Sequence, residues 1–127
     1  MPTVNEIIER VDRVKVNPYD DADKARWLMD LDGKIYQEVT ASPLTEEGES
    51  PTPPRVWPEE GDKPLLVDPP YDRLYDLYLF AMIDYHDREY AGYNNDMELF
   101  NAAMGEFRRK WRRDHRPLSG GGWKGRF

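Results

Sequence analysis

The chain has no cysteine, which excludes disulfides, thiol nucleophiles and cysteine-ligated metals. It has no run of about 20 apolar residues, the length that a membrane-crossing helix needs, so no membrane partner is expected. Its opening, Met1-Pro2-Thr3, turns acidic by Glu6 without a basic region and apolar stretch, so no signal peptide is expected and synthesis in a cytoplasm is. Aliphatic side chains are scarce. The apolar set makes up 39% of the 127 residues, below the roughly 45–50% (glycine included) of a typical domain. One domain with a modest core is expected.

Charge and aromatic rings are plentiful instead. Charged residues make up 34% of the chain, and eight Tyr and four Trp lift the aromatic share to 13%. Chains that are disordered throughout lack such rings. More rings than a small core needs suggest surfaces that meet a partner. The net charge of −7 is unevenly spread. Glu106 to Phe127 holds eight bases and two acids, a charge of +6, whereas residues 1–105 hold ten bases and 23 acids, a charge of −13. The acidic body repels phosphate and argues against general nucleic-acid binding. It suits head-to-tail association, with the basic end of one copy on the body of the next.

The apolar spacing predicts an all-α fold, a four-helix bundle-like subunit. Thr3 and Glu6 have the spacing of a capping box. Val4, Ile7, Ile8, Val11 and Val14 then paint one stripe, and Asn17-Pro18 ends the helix, so helix one is expected over 3–15. Asp20 or Asp21 caps a second helix over 20–40 with Ala25, Leu28, Leu31, Ile35 and Val39 on one face. Gly33 weakens it by roughly 1 kcal/mol relative to Ala and marks a bend or a close contact. Asp68-Pro69-Pro70 opens a third helix over 70–91, apolar over more than half its circumference and therefore central. Gly92 fits its C-terminus. Asn94 or Asn95 then caps a fourth helix over 95–115, with the stripe Phe100, Ala103, Met104, Phe107 and Trp111, and Pro117 beyond.

Between helices two and three, residues 41–68 read as an extended Pro-rich arm. Eight of the eleven prolines fall within residues 41–70, at 43, 51, 53, 54, 58, 64, 69 and 70, and proline stiffens a chain that cannot complete a helix. Val56, Trp57, Leu65, Leu66 and Val67 are its apolar islands, expected to pair as short strands or to pin the arm onto a neighbouring subunit. Residues 1–116 form the helical domain with this arm. Residues 117–127 form a tail whose Ser119-Gly120-Gly121-Gly122 reads as a flexible linker before Trp123, Lys124, Arg126 and Phe127. Aromatic anchors on such a tether point to partner binding.

The run Arg108-Arg109-Lys110-Trp111-Arg112-Arg113 has three readings. Bases complement a helix C-terminus, dock on an acidic neighbour, or track a nucleic-acid backbone around an interleaved ring. Catalytic and metal motifs are weak. His86, between Asp84-Tyr85 and Asp87, has neighbours that a helix splays around a turn, so it reads as surface polarity, and His115 among arginines supports no site. Asp30-Leu31-Asp32-Gly33 lacks the remaining ligands of a calcium loop. Gly120-Gly121-Gly122-Trp123-Lys124 lacks the spacing and hydroxyl of a phosphate loop. No nucleophile–base pair stands out. A non-enzyme without cofactor or metal is expected.

Two stretches carry a resemblance: VNEIIERVDRVKVNPYDDADKARWLMDLDGKIYQEV (4–39), and, within 65–117, DPPYDRLYDLYLFAMIDYHDREYAGYNNDMELFNAAMGEF. They resemble small head–tail connector, or adaptor, proteins encoded among the structural genes of tailed phages and prophages. The resemblance implies a helical subunit of a ring, usually of twelve copies, beneath the portal protein in the virion neck. Such a ring extends the channel through which genomic DNA slides without sequence-specific binding, and presents a platform to the next neck or tail-completion protein. An acidic lining would help the DNA slide. The family has no catalytic residues to carry over. Its arms and tails make inter-protein contacts, which here would fall to Arg108, Arg109, Trp111, Arg112, Arg113, Trp123, Lys124, Arg126 and Phe127. The sequence departs from the family at the Pro-rich insert and at the GGGWKGRF end. The competing reading is a DNA-binding or regulatory protein that uses the basic C-terminal helix.

Overall fold

Thr3 opens the first helix, α1 (Val4–Val14), through the anticipated capping box. Its Oγ1 accepts from the Glu6 backbone N–H at 3.2 Å, and its own N–H donates to Glu6 Oε1 at 2.9 Å. Val4, Ile7, Ile8 and Val11 form one buried stripe, whereas Val14 is exposed. In this computed structural model, residues 2–40, 61–62 and 64–114 are described. Residues 41–60 with Val56 and Trp57, and everything from His115 through Trp123, Lys124, Arg126 and Phe127, lie outside the described residues.

The second helix, α2 (Asp21–Ile35), passes into a single π-helical turn, Tyr36–Thr40. The expected helix 20–40 is therefore α-helical only to Ile35. Nothing approaches a Cβ built on Gly33, so that glycine marks no close contact. The third and fourth helices are α3 (Arg73–His86) and α4 (Tyr90–Asp114). Most of the described residues are helical and none forms a strand, which makes the fold all-α.

Side-chain pairs give the helix directions. Arg10 meets Asp72 and Asp76, and Lys15 meets Asp84, so α1 runs parallel to α3. Trp27 meets His86 while Asp32 meets Tyr75, so α2 runs antiparallel to α3. Tyr78 meets Phe100 and Tyr71 meets Lys110, so α4 also runs antiparallel to α3. Helix α3 touches all three others, the central position that its wide apolar face predicts. Leu74, Tyr75, Leu77, Leu79, Ala81 and Ile83 are buried there.

The boundary between α3 and α4 lies upstream of its expected place. Helix α3 stops at His86, Arg88 adopts a left-handed φ of 65°, and α4 restarts at Tyr90. Asn94 and Asn95 lie inside α4 and cap nothing. Gly92 lies in its first turn, not at the end of α3. A Cβ at Gly92 would fall 2.7 Å from Asp84 Oδ2, so this glycine serves close approach between helices.

Leu65, Leu66 and Val67 also need correction. Leu65 and Val67 are fully buried in the core of their own chain, and Leu66 packs against it. The segment lies along the start of α1: the Leu65 N–H donates to Pro2 O at 2.7 Å, the Asn5 N–H donates to Gly61 O at 3.2 Å, and Thr3 and Pro64 form one isolated bridge. A buried polar network fixes it from the other side. Asp32 accepts from the Leu66 N–H at 3.2 Å and from Tyr75 Oη at 2.6 Å, and Tyr75 Oη accepts from the Val67 N–H at 2.9 Å. Buried carboxylates persist where such donors replace water. These three residues therefore secure an intramolecular segment and are not available to reach a neighbour.

Candidate functional site

The helix directions give the subunit two unlike poles. One gathers the end of α1, the start of α2, the α3–α4 turn and the start of α4. The other gathers the start of α1, the π turn, the start of α3 and the end of α4.

The second pole carries the basic run. Arg108 lies 3.7 Å from Glu38 on the π turn. Lys110 pairs with Asp114 and sits 5.9 Å over the Tyr71 ring. Trp111 is half-buried beside Phe107, packed against the core. Two members of the expected partner-binding set, Arg108 and Trp111, touch the chain's own body, while Arg109, Arg112 and Arg113 are exposed. A helix end is a favourable place for those charges, because its carbonyl dipoles point outward there. Between the π turn and α4 runs a groove of about 410 Å³, floored by Leu31, Ile35, Tyr78 and Phe100 and rimmed by Lys34 and Glu38.

The first pole carries aromatic rings. Trp27 and His86 stack with centroids 5.0 Å apart and planes 9° from parallel. Tyr19 packs on both, at 5.8 and 5.9 Å, and its Oη donates to Asp87 Oδ1 at 2.7 Å. Tyr85 meets His86 at 5.3 Å, then Tyr90 at 6.3 Å and Tyr93 at 5.4 Å. The six rings are continuous across the corner. His86, read from sequence as isolated surface polarity, is a member of this ladder. Tyr85 and Tyr90 are 49% and 55% exposed.

Beside the ladder lies a cluster that sequence reasoning missed. Lys15 Nζ is 2.9 Å from Asp84 Oδ1, and Asp84 faces Asp96 of α4. Asp96 Oδ2 is buried and receives no hydrogen bond. Burial, then the hydrogen bond and charge of Asp84, push Asp96 up to about 7. Burial acts to raise Asp84 as well, but hydrogen bonds from Asp96 and Lys15 outweigh it and hold Asp84 below the usual range. Of the two carboxyls, Asp96 is therefore the one that takes up a proton first, as the pH falls through about 7. Twelve residues and a helix reversal separate them, so only the register of the α3–α4 hairpin reveals the pair.

Two further cations tie the helices. Buried Lys24 of α2 donates to Asp12 Oδ1 at 2.7 Å and Asn17 Oδ1 at 3.2 Å. Arg10 of α1 donates from Nη2 and Nε to both oxygens of Asp76, at 2.6 and 3.1 Å, and from Nη1 to Asp72 at 3.1 Å. These contacts join elements of one chain.

Among the described residues, no three carboxylates or imidazoles are grouped to hold a metal ion. No helix among them is long and apolar enough to cross a membrane. Neither a family model nor a curated protein nor a solved structure matches this chain.

Proposed function

We propose that this chain is a structural adaptor of a tailed-phage neck, docking on the portal and assembling into a ring that extends the DNA channel. The observation that carries the reading is the two-poled charge of the subunit. Exposed Arg109, Arg112 and Arg113 crown one end of an otherwise acidic chain. Opposite, unlike ends fit a heterologous interface, and such interfaces close into rings when the rotation permits. The resemblance of residues 4–39 and 65–117 to connector proteins supplies the biological setting. In that setting the arginine end docks on an acidic portal surface, and the acidic remainder lets DNA pass without counterion-releasing contacts.

The test is co-sedimentation of the full chain with portal rings. Binding is expected, and Arg109→Glu, Arg112→Glu and Arg113→Glu together abolish it while the helical circular dichroism stays unchanged. Portal rings that pellet without the parent chain count against the reading. A gel shift with DNA that weakens steeply with salt would favour the regulatory alternative.

A further inference from the structure

We propose that the aromatic ladder at the α3–α4 corner is the seat for the C-terminal segment, residues 115–127, of a second copy of this chain. The inference rests on the self-assembly part of the functional reading and is independent of portal docking.

The ladder has the character of an interface. Its outer members Tyr85 and Tyr90 expose about half their surface, although rings of this size ordinarily supply core or interface area. Val14 and Val16, at the end of α1, are exposed at the same pole. Tyr19 and Trp27 back the ladder against the core, so the platform is preformed and little ordering is needed on contact. Acids outnumber bases around it: Asp20, Asp23, Asp87 and Glu89 are its near neighbours in sequence, against Arg26 and Arg88.

The occupant is identified by complementary chemistry. Residues 115–127 contain Arg116, Lys124 and Arg126 and no acid. Guanidinium and ammonium groups are attracted to tyrosine and tryptophan faces as well as to carboxylates. Trp123 and Phe127 supply the apolar anchors that such a seat accepts. DNA fails the same charge test, because the rim is acidic.

Reach favours a second copy over the chain's own tail. The ladder lies at the start of α4 and the segment leaves from its far end. At 1.5 Å per residue, α4 from Tyr90 to Asp114 is about 36 Å long. Nine fully stretched residues from Asp114 to Trp123 cover at most about 32 Å. The chain's own tail would have to run fully taut along the helix for Trp123 to meet even the near edge of the ladder at Tyr93. A neighbouring copy has no such constraint, and its contact is head-to-tail.

Sedimentation velocity on the full chain tests this. The parent self-associates with increasing concentration. Tyr85→Ser with Tyr90→Ser disables the seat, and Trp123→Ala with Phe127→Ala disables the segment. Each pair weakens association by at least about tenfold and leaves the thermal melt unchanged. Mixed in equal amounts, the two variants form a 1:1 dimer that grows no further, because only one seat still meets one segment. A parent that stays monomeric, a double variant that associates like the parent, or a mixture that stays monomeric overturns the proposal. Portal co-sedimentation is scored separately: self-association of this pattern without portal binding refutes portal docking alone, and portal binding without self-association refutes this inference and the self-assembly it rests on while portal docking stands.

Discussion

Two clusters tie α1 to α3, and each consists of one cation and two aspartates. At one pole Arg10 faces Asp72 and Asp76. At the other Lys15 faces Asp84, with Asp96 behind it. The composition is the same and the outcome differs. Arg10 presents a planar fork that satisfies both carboxylates at once, and the hydrogen bond to Asp76 leads in raising its own pKa against the cost of burial. Lys15 is a point charge that closes on Asp84 alone. The second carboxyl at that pole is left facing the first, and a proton takes the place of the missing cation. Charge geometry, more than charge count, separates the two clusters.

The largest expected effect comes from breaking the satisfied cluster. Arg10→Ala leaves buried Asp72 and half-buried Asp76 without their cation. Removing one partner of a buried pair costs about 3–5 kcal/mol, and the partial exposure of Arg10 reduces this to about 2 kcal/mol. A chemical denaturation midpoint equal to the parent's would show that the clamp contributes nothing. Arg10→Lys is milder, about 1 kcal/mol, and more informative. It keeps the charge and removes the fork, so a denaturation midpoint equal to the parent's would show that the shape of the cation contributes nothing.

Asp96→Asn removes the proton from the other pole. In the parent, Asp96 titrates near 7 when folded and near its ordinary value when unfolded. The folded chain therefore holds a proton that the unfolded chain releases between about pH 4 and pH 7. Its stabilisation is complete below that window and is lost as the pH rises through about 7. Asp84 moves the opposite way: its pKa is lowered, so its contribution fades only in acid, below the ordinary carboxylate range. Asparagine donates to Asp84 at any pH. The variant should lose the fall in melting temperature between about pH 4 and pH 7 and should melt higher at the alkaline end, by less than about 1 kcal/mol. Parallel pH profiles for parent and variant would place the titration elsewhere.

The legibility of these features in the sequence follows their range. The capping box at Thr3 and Glu6, the stripe of α1 and the breadth of α3 are local patterns, and the helices form where those patterns lie. The α3–α4 turn was misplaced because Gly92 and Asn95 carry the usual signals of a helix end and a cap. Gly92 is instead required by the Asp84 carboxylate across the hairpin, a tertiary demand with no local mark. Leu65, Leu66 and Val67 read as an arm because prolines surround them, yet Asp32 accepts from the Leu66 N–H across 34 positions and Tyr75 from the Val67 N–H across eight. The ladder was hidden for the same reason: Trp27 and His86 are adjacent only because α2 and α3 run antiparallel. What was legible in the candidate site was its charge asymmetry, which is compositional and needs no register.

The smallest expected effect, and the most exacting test of the comparison, is Lys15→Arg. The substitution keeps the charge and changes only its shape. Lys15 is on the edge of the Asp84–Asp96 pair, with its ammonium 2.9 Å from one oxygen of Asp84, and Asp96 already contributes to raising the lysine's pKa across that gap. A guanidinium has the fork to engage both carboxylates, as Arg10 does at the other pole. Asp96 would then be drawn back toward the ordinary carboxylate range, and the pH slope of the melting temperature between about 4 and 7 would flatten with little change at pH 4. The net gain at pH 8 is a few tenths of a kcal/mol, because an exposed pair is worth about 0.2–1 kcal/mol and the longer side chain loses rotamer freedom. If the slope persists in Lys15→Arg and vanishes in Asp96→Asn, burial alone sets the Asp96 proton, and cation shape is not what separates the two poles.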